Sequence, residues 1–362
     1  MRLLHTSDWH LGRSFHRESL LSAQAAFADH LVETVRAERV DAVLVAGDVY
    51  DRALPPVDAV ALFDDTLRRL RGLGAHTVII SGNHDSPVRL GFGAGLMDRI
   101  HLRTDPHQAW VPVVVNDVAF YGIPYLEPEL VRTPWGLPER THTAAMTHVM
   151  DRVRSDAAPA KVVLAHAFVT GGAASDSERD IRVGGVAHVP LRVFDGVSYT
   201  ALGHLHGRQT MSETVRYSGS PIAYSFSEAD HLKGSWLVEL GGAVEFVPAP
   251  VPRPLTRLRG RLDDLLALPP LGDWIQATLT DPVRPKAAME RLRARFPHTV
   301  DLHFAPDEAA EAAPARPRLA GRPEIDVALD FVREVRGEPA DPDERRLLEE
   351  AAMACRIRET MA

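Results

Sequence analysis

The chain has 362 residues, 45% of them hydrophobic, so it can bury a large core; at roughly 100–200 residues per domain we expect two or three domains. It has no run of about 18 apolar residues, and its start resembles a short strand rather than a secretory signal, so we expect a soluble, cytoplasmic protein. The single cysteine, Cys355, excludes an intrachain disulfide and cysteine-based zinc motifs. The net charge of −8 has the wrong sign for a free-standing nucleic-acid binder, although bound cations would neutralise acidic metal ligands.

Residues 1–250 repeat a pattern in which a short apolar run is followed by polar residues and often by an amphipathic helix. Five runs have the length and composition of buried strands: residues 2–6, 42–46, 77–81, 161–165 and 199–202. Helical spacing of apolar residues predicts helices between the first three runs, and residues 109–123 and 234–248 each predict a hairpin. The pattern favours an α/β fold in which two mixed sheets pack together with helices outside, a four-layer α/β/β/α sandwich.

A second unit begins after the proline-rich segment 248–254. Alternating strand and helix signals over residues 251–305 predict a small α/β capping domain. Residues 306–323 have the composition of a linker, and residues 324–362 predict a pair of helices, the second opening at Asp341-Pro-Asp-Glu344. Both helices carry an apolar stripe. Three packing surfaces are open to these stripes: each other, the cap, or another protein. Because a flexible linker separates the helices from the rest of the chain, much of each stripe would otherwise lie in water, and we favour an external partner.

The residue types that bind metals lie directly after the predicted strands. In the order of the five strands they are Asp8 and His10, then Asp48, then Asn83, His84 and Asp85, then His166, and finally His204 and His206. Because ligands bind beyond the carboxyl ends of strands in α/β sheets, we expect these loops to converge on one site. One histidine among 17 would carry little weight, but five clusters in one order predict a metal centre.

The mixture of carboxylate, amide and imidazole groups selects among metals. Oxygen ligands alone suit magnesium or calcium, whereas imidazole suits manganese, iron and zinc, so we expect two divalent ions, with manganese first. Two ions about 3.5–4 Å apart stabilise both the attacking and the leaving oxygen of a displacement at phosphorus. A carboxylate between the ions must bridge them, and Asp48 is the best candidate. The predicted chemistry is two-metal hydrolysis of a phosphate ester.

The ordered motifs resemble those of the calcineurin-like metallophosphoesterases. They are Asp8-x-His10, Gly47-Asp48-x-x-Asp51-Arg52, Gly82-Asn83-His84-Asp85 and Gly203-His204-x-His206. More narrowly, Thr6-Ser-Asp-Trp-His-Leu-Gly-Arg13, Ala165-His-Ala167 and Tyr217-Ser-Gly-Ser-Pro221 resemble the bacterial SbcD family of nuclease subunits. The resemblance covers about residues 1–250, while the cap and tail match by layout more than by sequence.

This resemblance implies how the metal ligands are shared. One ion would be held by Asp8, His10, Asp48 and His206, and the other by Asp48, Asn83, His166 and His204. Asp48 would thus serve both ions.

The resemblance also implies catalytic roles. His84 would protonate the leaving oxygen or stabilise the transition state, with Asp85 holding its orientation. Asp51 stands where archaeal and eukaryotic relatives have a second functional histidine, whereas bacterial members resemble this chain in having Asp there. Asp51, Arg52 and Asp85 either orient a ligand or His84, or merely cap a helix or pair a neighbouring charge.

The activity implied is manganese-dependent DNA hydrolysis in end processing, replication and recombination, by 3′→5′ exonuclease action on duplex ends and endonuclease action on single strands and hairpins. The implied partner is the SbcC ATPase, in a heterotetramer-type complex with two nuclease subunits. The cap would contact DNA, and residues 324–362 would bind SbcC. This chain has no G-x-x-x-x-G-K-[ST] loop of its own for ATP.

Two alternative functions remain. A small-molecule phosphodiesterase of the same superfamily would share the metal site but need neither cap nor helical tail. A non-catalytic scaffold of this fold would usually lack His84 or the ligand histidines, and this chain has them all.

Overall fold

The computed structural model describes residues 1–178, 188–307 and 323–360. The first strand, β1 (Arg2–Thr6), is followed by a small hairpin of β2 (Ser14–Phe15) and β3 (Glu18–Ser19).

The first large sheet has six strands in the spatial order β14-β13-β1-β4-β5-β6. They are β1 (Arg2–Thr6), β4 (Ala42–Ala46), β5 (His76–Ile80), β6 (Ile100–Arg103), β13 (Gly234–Glu239) and β14 (Val244–Pro248). Strands β1, β4, β5 and β6 run parallel, whereas β13 pairs antiparallel with both β1 and β14. The carboxyl ends of the four parallel strands therefore lie at one edge.

The second sheet also has six strands, in the order β11-β12-β10-β9-β8-β7. They are β7 (Val113–Val115), β8 (Val118–Ile123), β9 (Ala160–His166), β10 (Tyr199–Gly203), β11 (Gln209–Thr210) and β12 (Val215–Tyr217). The four central strands are parallel and both edge strands are antiparallel. Both predicted hairpins are confirmed, and the β7–β8 turn places Asn116 and Asp117 at positive φ, as a two-residue hairpin turn requires.

Helices cover the outer face of each sheet. Sheet one is covered by α1 (Leu21–Ala37) and α2 (Val57–Gly72), and α3 (Pro87–Leu90) is a single turn after β5; α4 (Pro128–Trp135) and α5 (His142–Ser155) cover sheet two. The inner faces pack on each other: Leu3 and Leu44 of sheet one share a core with Leu164 of sheet two. Because side chains alternate along a strand, Leu4 and Val43 turn outward to the helices. The predicted α/β/β/α sandwich is confirmed.

Residues 255–304 form a three-stranded parallel sheet with two helices. Its elements are β15 (Leu255–Gly260), α6 (Leu262–Ala267), β16 (Trp274–Leu279), α7 (Ala288–Arg295) and β17 (Thr299–Phe304). It has its own core around Leu265, Ile275 and Phe296. A further apolar cluster, in which Phe15 and Phe226 pack with Trp274, joins this sheet to the sandwich.

Two helices end the described chain, α8 (Glu324–Arg336) and α9 (Pro342–Thr360). The predicted helix start is present: Asp341 accepts the backbone N–H of Glu344 at 2.8 Å, while Glu344 accepts that of Asp341 at 2.9 Å. Most of the predicted linker, residues 308–322, lies outside the described residues. The chain separates into one compact unit of Met1–Leu279 with Pro285–Phe304 and another of Thr280–Arg284 with Ala305–Ala362.

None of the helices in the described ranges is long and apolar enough to cross a membrane.

A buried histidine links the two sheets. His5 on β1 is fully buried, with Nδ1 3.0 Å from the Tyr199 hydroxyl and Nε2 3.1 Å from the Leu202 carbonyl oxygen, both on β10. Burial lowers the pKa of His5 from 6.5 to about 3. The imidazole is therefore held neutral between the sheets.

This neutral histidine predicts acid destabilisation. Because the unfolded chain binds the proton at higher pH than the folded chain, the stabilising effect is complete above pH 6.5 and is lost as pH falls towards 3. At about 1.4 kcal/mol per pH unit, His5 should account for about 2 kcal/mol of the stability lost between pH 7.5 and pH 5. Urea unfolding in EDTA should show this extra loss for the natural chain relative to His5→Gln. Equal losses would contradict the prediction.

Candidate metal centre

Seven polar side chains from the two sheets meet beyond the carboxyl ends of their strands. Sheet one contributes Asp8 and His10 after β1, Asp48 after β4 and Asn83 after β5; sheet two contributes His166 at the end of β9 and His204 and His206 after β10. All but Asn83 are buried. The structure thus brings together all seven residues that the sequence predicts as ligands.

Asp48 lies at the middle of this group. Its Oδ2 is 3.6 Å from His10 Nε2 and 3.5 Å from His166 Nε2, histidines that the sequence assigns to different ions. Its Oδ1 accepts the backbone N–H of His84 at 2.8 Å, which fixes the carboxylate. The placement suits a bridging ligand.

The remaining ligands fall on either side of Asp48. On one side, ligand atoms of Asp8, His10 and His206 lie within 4.8 Å of one another, and the two Nε2 atoms of the histidines are 3.1 Å apart. On the other, Asn83 Oδ1 is 2.9 Å from His166 Nε2 and 3.2 Å from His204 Nδ1. Each side supplies both oxygen and imidazole groups.

The chemistry of these donors fits bound cations. His166 Nδ1 lies 2.9 Å from the Ala46 carbonyl oxygen, which can only accept, so Nδ1 carries a hydrogen. The other nitrogen, Nε2, faces two further acceptors, the oxygens of Asn83 and Asp48. It therefore either carries a second hydrogen, as in the metal-free chain, or gives its lone pair to a cation that the same oxygens also bind. Two divalent ions held here would activate water and offset negative charge on a phosphate.

The charges of the metal-free site point the same way. Burial raises the pKa of Asp8 to about 6. Burial alone would lower the pKa of His166, but the Asp48 carboxylate raises it to about 9. In the absence of a cation, an imidazolium thus balances Asp48, and a metal ion would take the place of that proton.

The loops that carry the ligands run unusually close together. A Cβ on Gly82 would lie 2.1 Å from Asp48 Oδ1, and one on Gly203 would lie 1.9 Å from the Ala46 carbonyl oxygen. Any side chain at either position would force the loops apart. The glycines of both motifs are therefore required by backbone proximity.

His84 and Asp51 lie beside the ligands. His84 Nδ1 donates to the Asp51 carbonyl oxygen at 2.8 Å, and its Nε2 lies 4.0 Å from Asp48 Oδ2. The Asp51 carboxylate is 3.7 Å from His10 Nδ1 and 3.7 Å from Arg13 Nη1. Arg52 is more exposed, with its guanidinium 3.9 Å from the same carboxylate. Asp51 therefore contacts a ligand with its side chain and orients His84 with its backbone.

The expectation that Asp85 orients His84 needs correction. The buried carboxylate of Asp85 accepts backbone N–H groups from Val49 at 3.1 Å, Tyr50 at 2.9 Å and Gly82 at 2.9 Å. A carboxylate satisfies three such donors better than it serves one ring, because a buried unpaired N–H is costly. Asp85 joins the loop of Asp48 to the loop of Asn83.

Two positioning residues were missed by the sequence analysis. Gln24 on α1 donates to the carbonyl oxygens of Trp9 at 3.2 Å and His10 at 2.7 Å, and accepts from the backbone of Gly12 at 3.0 Å. Tyr224 donates to the Trp9 carbonyl oxygen. These polar residues hold the first ligand loop, but each lies far from the motif along the chain and has no local signature.

Comparison with known proteins gives two family matches. A model of calcineurin-like phosphoesterases matches residues 1–208. The SbcD C-terminal model, described as type 5 capsule protein repressor C-terminal domain, matches residues 251–336.

Three solved structures are distantly similar. TT1561 of Thermus thermophilus is 12% identical, covering 69% of this chain and 99% of its own, with a TM-score of 0.41. GAP50, the anchor in the inner membrane complex of Plasmodium, is 13% identical and covers 85% and 98%, with a TM-score of 0.43. A dimetal phosphatase from Danio rerio is 13% identical and covers 69% and 99%, with a TM-score of 0.40.

The assignment rests on the family models rather than on these structures. The first model spans more than half of the chain and includes every predicted ligand. The second lies further along the chain, over residues 251–336, in the order expected of SbcD within the metallophosphoesterase superfamily. The chain belongs to the calcineurin-like phosphoesterase family.

Proposed function

We propose that this metal-dependent phosphoesterase is a manganese-dependent DNA nuclease subunit that acts with an SbcC-type ATPase. The observation that carries the proposal is the position of Asp48 between two groups of mixed oxygen and imidazole ligands, on a chain that also matches the SbcD C-terminal family. Imidazole-containing sites favour manganese over magnesium. The proposed substrates are duplex ends, hairpins and single strands, cleaved by exonuclease and endonuclease action.

A polar groove beside the metal centre supports DNA as the substrate. It encloses about 420 Å³ and runs from the first ligand loop to the cap, with Arg13 and His16 on one side and Arg257 and Gln276 on the other. The Arg13 guanidinium lies 4.9 Å from the Tyr224 ring centre and 3.7 Å from Asp51. Cationic groups at this place suit phosphates that continue beyond the one being cleaved. Asp176 and Asp301 line the same groove, so its charge is mixed, and the two arginines provide individual phosphate contacts rather than a positive surface.

The first prediction concerns metal and the bridging residue. EDTA should abolish cleavage of end-labelled duplex DNA, and manganese should restore it better than magnesium. Asp48→Asn should lower cleavage by more than about 100-fold, since even changes beside a ligand cost about 10–100-fold. Elemental analysis should find fewer than two ions per chain. Asp195 is exposed and is not one of the proposed ligands, so Asp195→Asn, the same chemical change, is the matched control.

Four outcomes would refute the proposal. Cleavage that survives exhaustive chelation, or two tightly bound ions in Asp48→Asn, would exclude the bridged centre. Hydrolysis of a cyclic nucleotide without any action on DNA would favour the small-molecule phosphodiesterase. A chain that binds two ions but hydrolyses neither substrate would be a scaffold.

His84 is proposed as the proton donor to the leaving oxygen. Its side chain is only 11% exposed, and the hydrogen bond from Nδ1 to the Asp51 carbonyl oxygen leaves Nε2 directed at the metal ligands. An imidazole within hydrogen-bond reach of a leaving oxygen can act as a general acid. The same placement allows His84 to stabilise negative charge instead, and substrate choice separates the two roles.

His84→Ala should lower turnover on DNA by about 10²–10⁴-fold, the usual value of general acid catalysis, while both ions stay bound. Bis-p-nitrophenyl phosphate has a good leaving group, so its hydrolysis should fall far less. Turnover on both substrates should be measured with metal content, using His101→Ala as the control. An equal loss on both substrates would exclude leaving-group protonation and favour electrostatic stabilisation.

Residues 324–362 are proposed to bind the ATPase, and residues 251–305 to be the DNA-binding cap. None of the described side chains of α8 and α9 is buried, and Phe331, Val335 and Leu347 are at least 60% exposed. Exposed apolar residues at helical spacing are typical of a surface that a partner covers.

A second apolar surface supports the proposed pair of nuclease subunits. Val57, Val88, Phe92 and Leu96 are each more than 80% exposed, and Arg89 links their two segments by donating to the Ala53 carbonyl oxygen at 3.1 Å. This surface is separate in sequence from the tail. Self-association and ATPase binding should therefore be separable.

Removing residues 321–362 should abolish binding to SbcC, because it deletes both exposed helices. The truncated chain should still dimerise and hydrolyse bis-p-nitrophenyl phosphate, since the metal ligands and the surface around Phe92 remain. Light scattering of the truncated chain, alone and with SbcC, measures its self-association and its binding to the ATPase. An undiminished complex with SbcC would overturn the proposed role of the tail, and a monomeric full-length chain would overturn the dimer.

A further inference from the structure

A buried ion pair lies behind the metal centre. Glu228 is fully buried and Lys233 is 5% exposed. The Lys233 ammonium donates to the Glu228 carboxylate, to the His206 carbonyl oxygen at 2.8 Å and to Ser220 Oγ at 2.9 Å. Its three hydrogens are therefore all used. The Glu228 carboxylate also accepts the backbone N–H of Tyr224 at 3.3 Å and the Ser225 hydroxyl at 3.1 Å, so hydrogen-bond donors approach both of its oxygens, as an ionised carboxylate requires.

Stability alone does not account for this pair. Removing two charges from water costs several kcal/mol for each ion, and apolar residues of similar volume are often as stable or more stable. A buried ion pair is therefore weak evidence for stability, and we look for a second role in the groups that it contacts. The group it holds is His206.

Ser177 connects the ion pair to the ring of His206. Its Oγ lies 2.6 Å from His206 Nδ1 and also hydrogen-bonds Glu228 Oε1. An ionised carboxylate can only accept, so the Ser177 hydroxyl donates to Glu228 and must accept from His206 Nδ1. The hydrogen of the neutral ring is thus placed on Nδ1, which leaves the Nε2 lone pair facing His10 and the metal centre.

The backbone of His206 is held by the same group of residues. Its carbonyl oxygen accepts from Lys233, and its N–H donates to Glu178 Oε1 at 2.7 Å. The ring and both backbone groups of this ligand are therefore fixed from one side. Hydrogen bonds of this kind strengthen metal binding, because loss of a partner that orients a ligand histidine typically lowers metal affinity by about 10–100-fold.

We propose that Glu228, anchored by Lys233 and acting through Ser177, is a positioning residue that fixes the ring nitrogen with which His206 binds metal. The inference rests on the proposed metal centre. It adds the group that selects the tautomer of His206, with the hydrogen on Nδ1 and Nε2 free to bind the ion. Only the ion next to His206 should depend on it. The ion next to Asn83 and His204 has no ligand in contact with Ser177 or Glu228 among the described residues.

The test uses the full chain and manganese alone. Ser177→Ala removes the hydroxyl but leaves the ion pair intact, and Ser177→Thr restores it. Calorimetric titration with manganese should show one of two sites weakened by about 10–100-fold in Ser177→Ala, the other unchanged, and recovery in Ser177→Thr.

Ser227→Ala is the matched control. The Ser227 hydroxyl accepts the backbone N–H of Asp176, the residue before Ser177, but does not contact His206. The double variant Glu228→Gln, Lys233→Met removes both charges together and should weaken the same site without leaving a buried charge unpaired. If this double variant does not fold, the two Ser177 variants still decide the question.

The outcomes separate this inference from the proposed function. A natural chain that binds two manganese ions, with both affinities unchanged in Ser177→Ala, would overturn the positioning role alone. Equal weakening in Ser177→Ala and Ser227→Ala would show a general disturbance of the loop and would overturn it too. A natural chain that binds no manganese would overturn both the metal centre and this inference.

Discussion

Packing between the two large sheets is the contact on which the metal centre depends. Four of the proposed ligands come from sheet one and three from sheet two, so neither sheet alone can bind two ions. The apolar layer that includes Leu3, Leu44 and Leu164 aligns the carboxyl ends of both sets of parallel strands. At the edge of this layer the backbones approach so closely that Gly82 and Gly203 cannot carry a side chain. Hydrophobic burial and ligand convergence are thus parts of one arrangement.

The sequence predicts this arrangement well because each step has a local pattern. Buried parallel strands are continuous apolar runs, and the polar residues of the five motifs begin where the runs end. Asp8 and Asp48 follow the neighbouring strands β1 and β4 of sheet one, whereas His166 ends β9 of sheet two and joins them through the packing of the two sheets. The cap and the paired C-terminal helices are likewise visible as changes of pattern and as the capping sequence at Asp341.

The residues that orient the ligands could not be predicted in this way. Gln24 lies in a helix, Ser177 in the segment after β9, and Glu228 in a short turn, and each reaches the site only through the tertiary fold. For Asp85 the sequence left open whether it orients a ligand or His84, and only the structure shows that its carboxylate turns towards the backbone amides of the two ligand loops rather than to His84. Adjacent residues in a tight turn often face different ways.

The ligand loops also have an unusual backbone. Asp8, His10, Asp48 and His204 all have positive φ, at 54°, 44°, 49° and 106°, a region that residues other than glycine seldom adopt. Each such residue costs on the order of 1–3 kcal/mol. Glycine at any of the four would relax the backbone and delete a proposed ligand. Thermal stability and metal binding therefore place opposite demands on these four positions, and a change to glycine that makes the chain more heat-resistant should weaken the proposed centre.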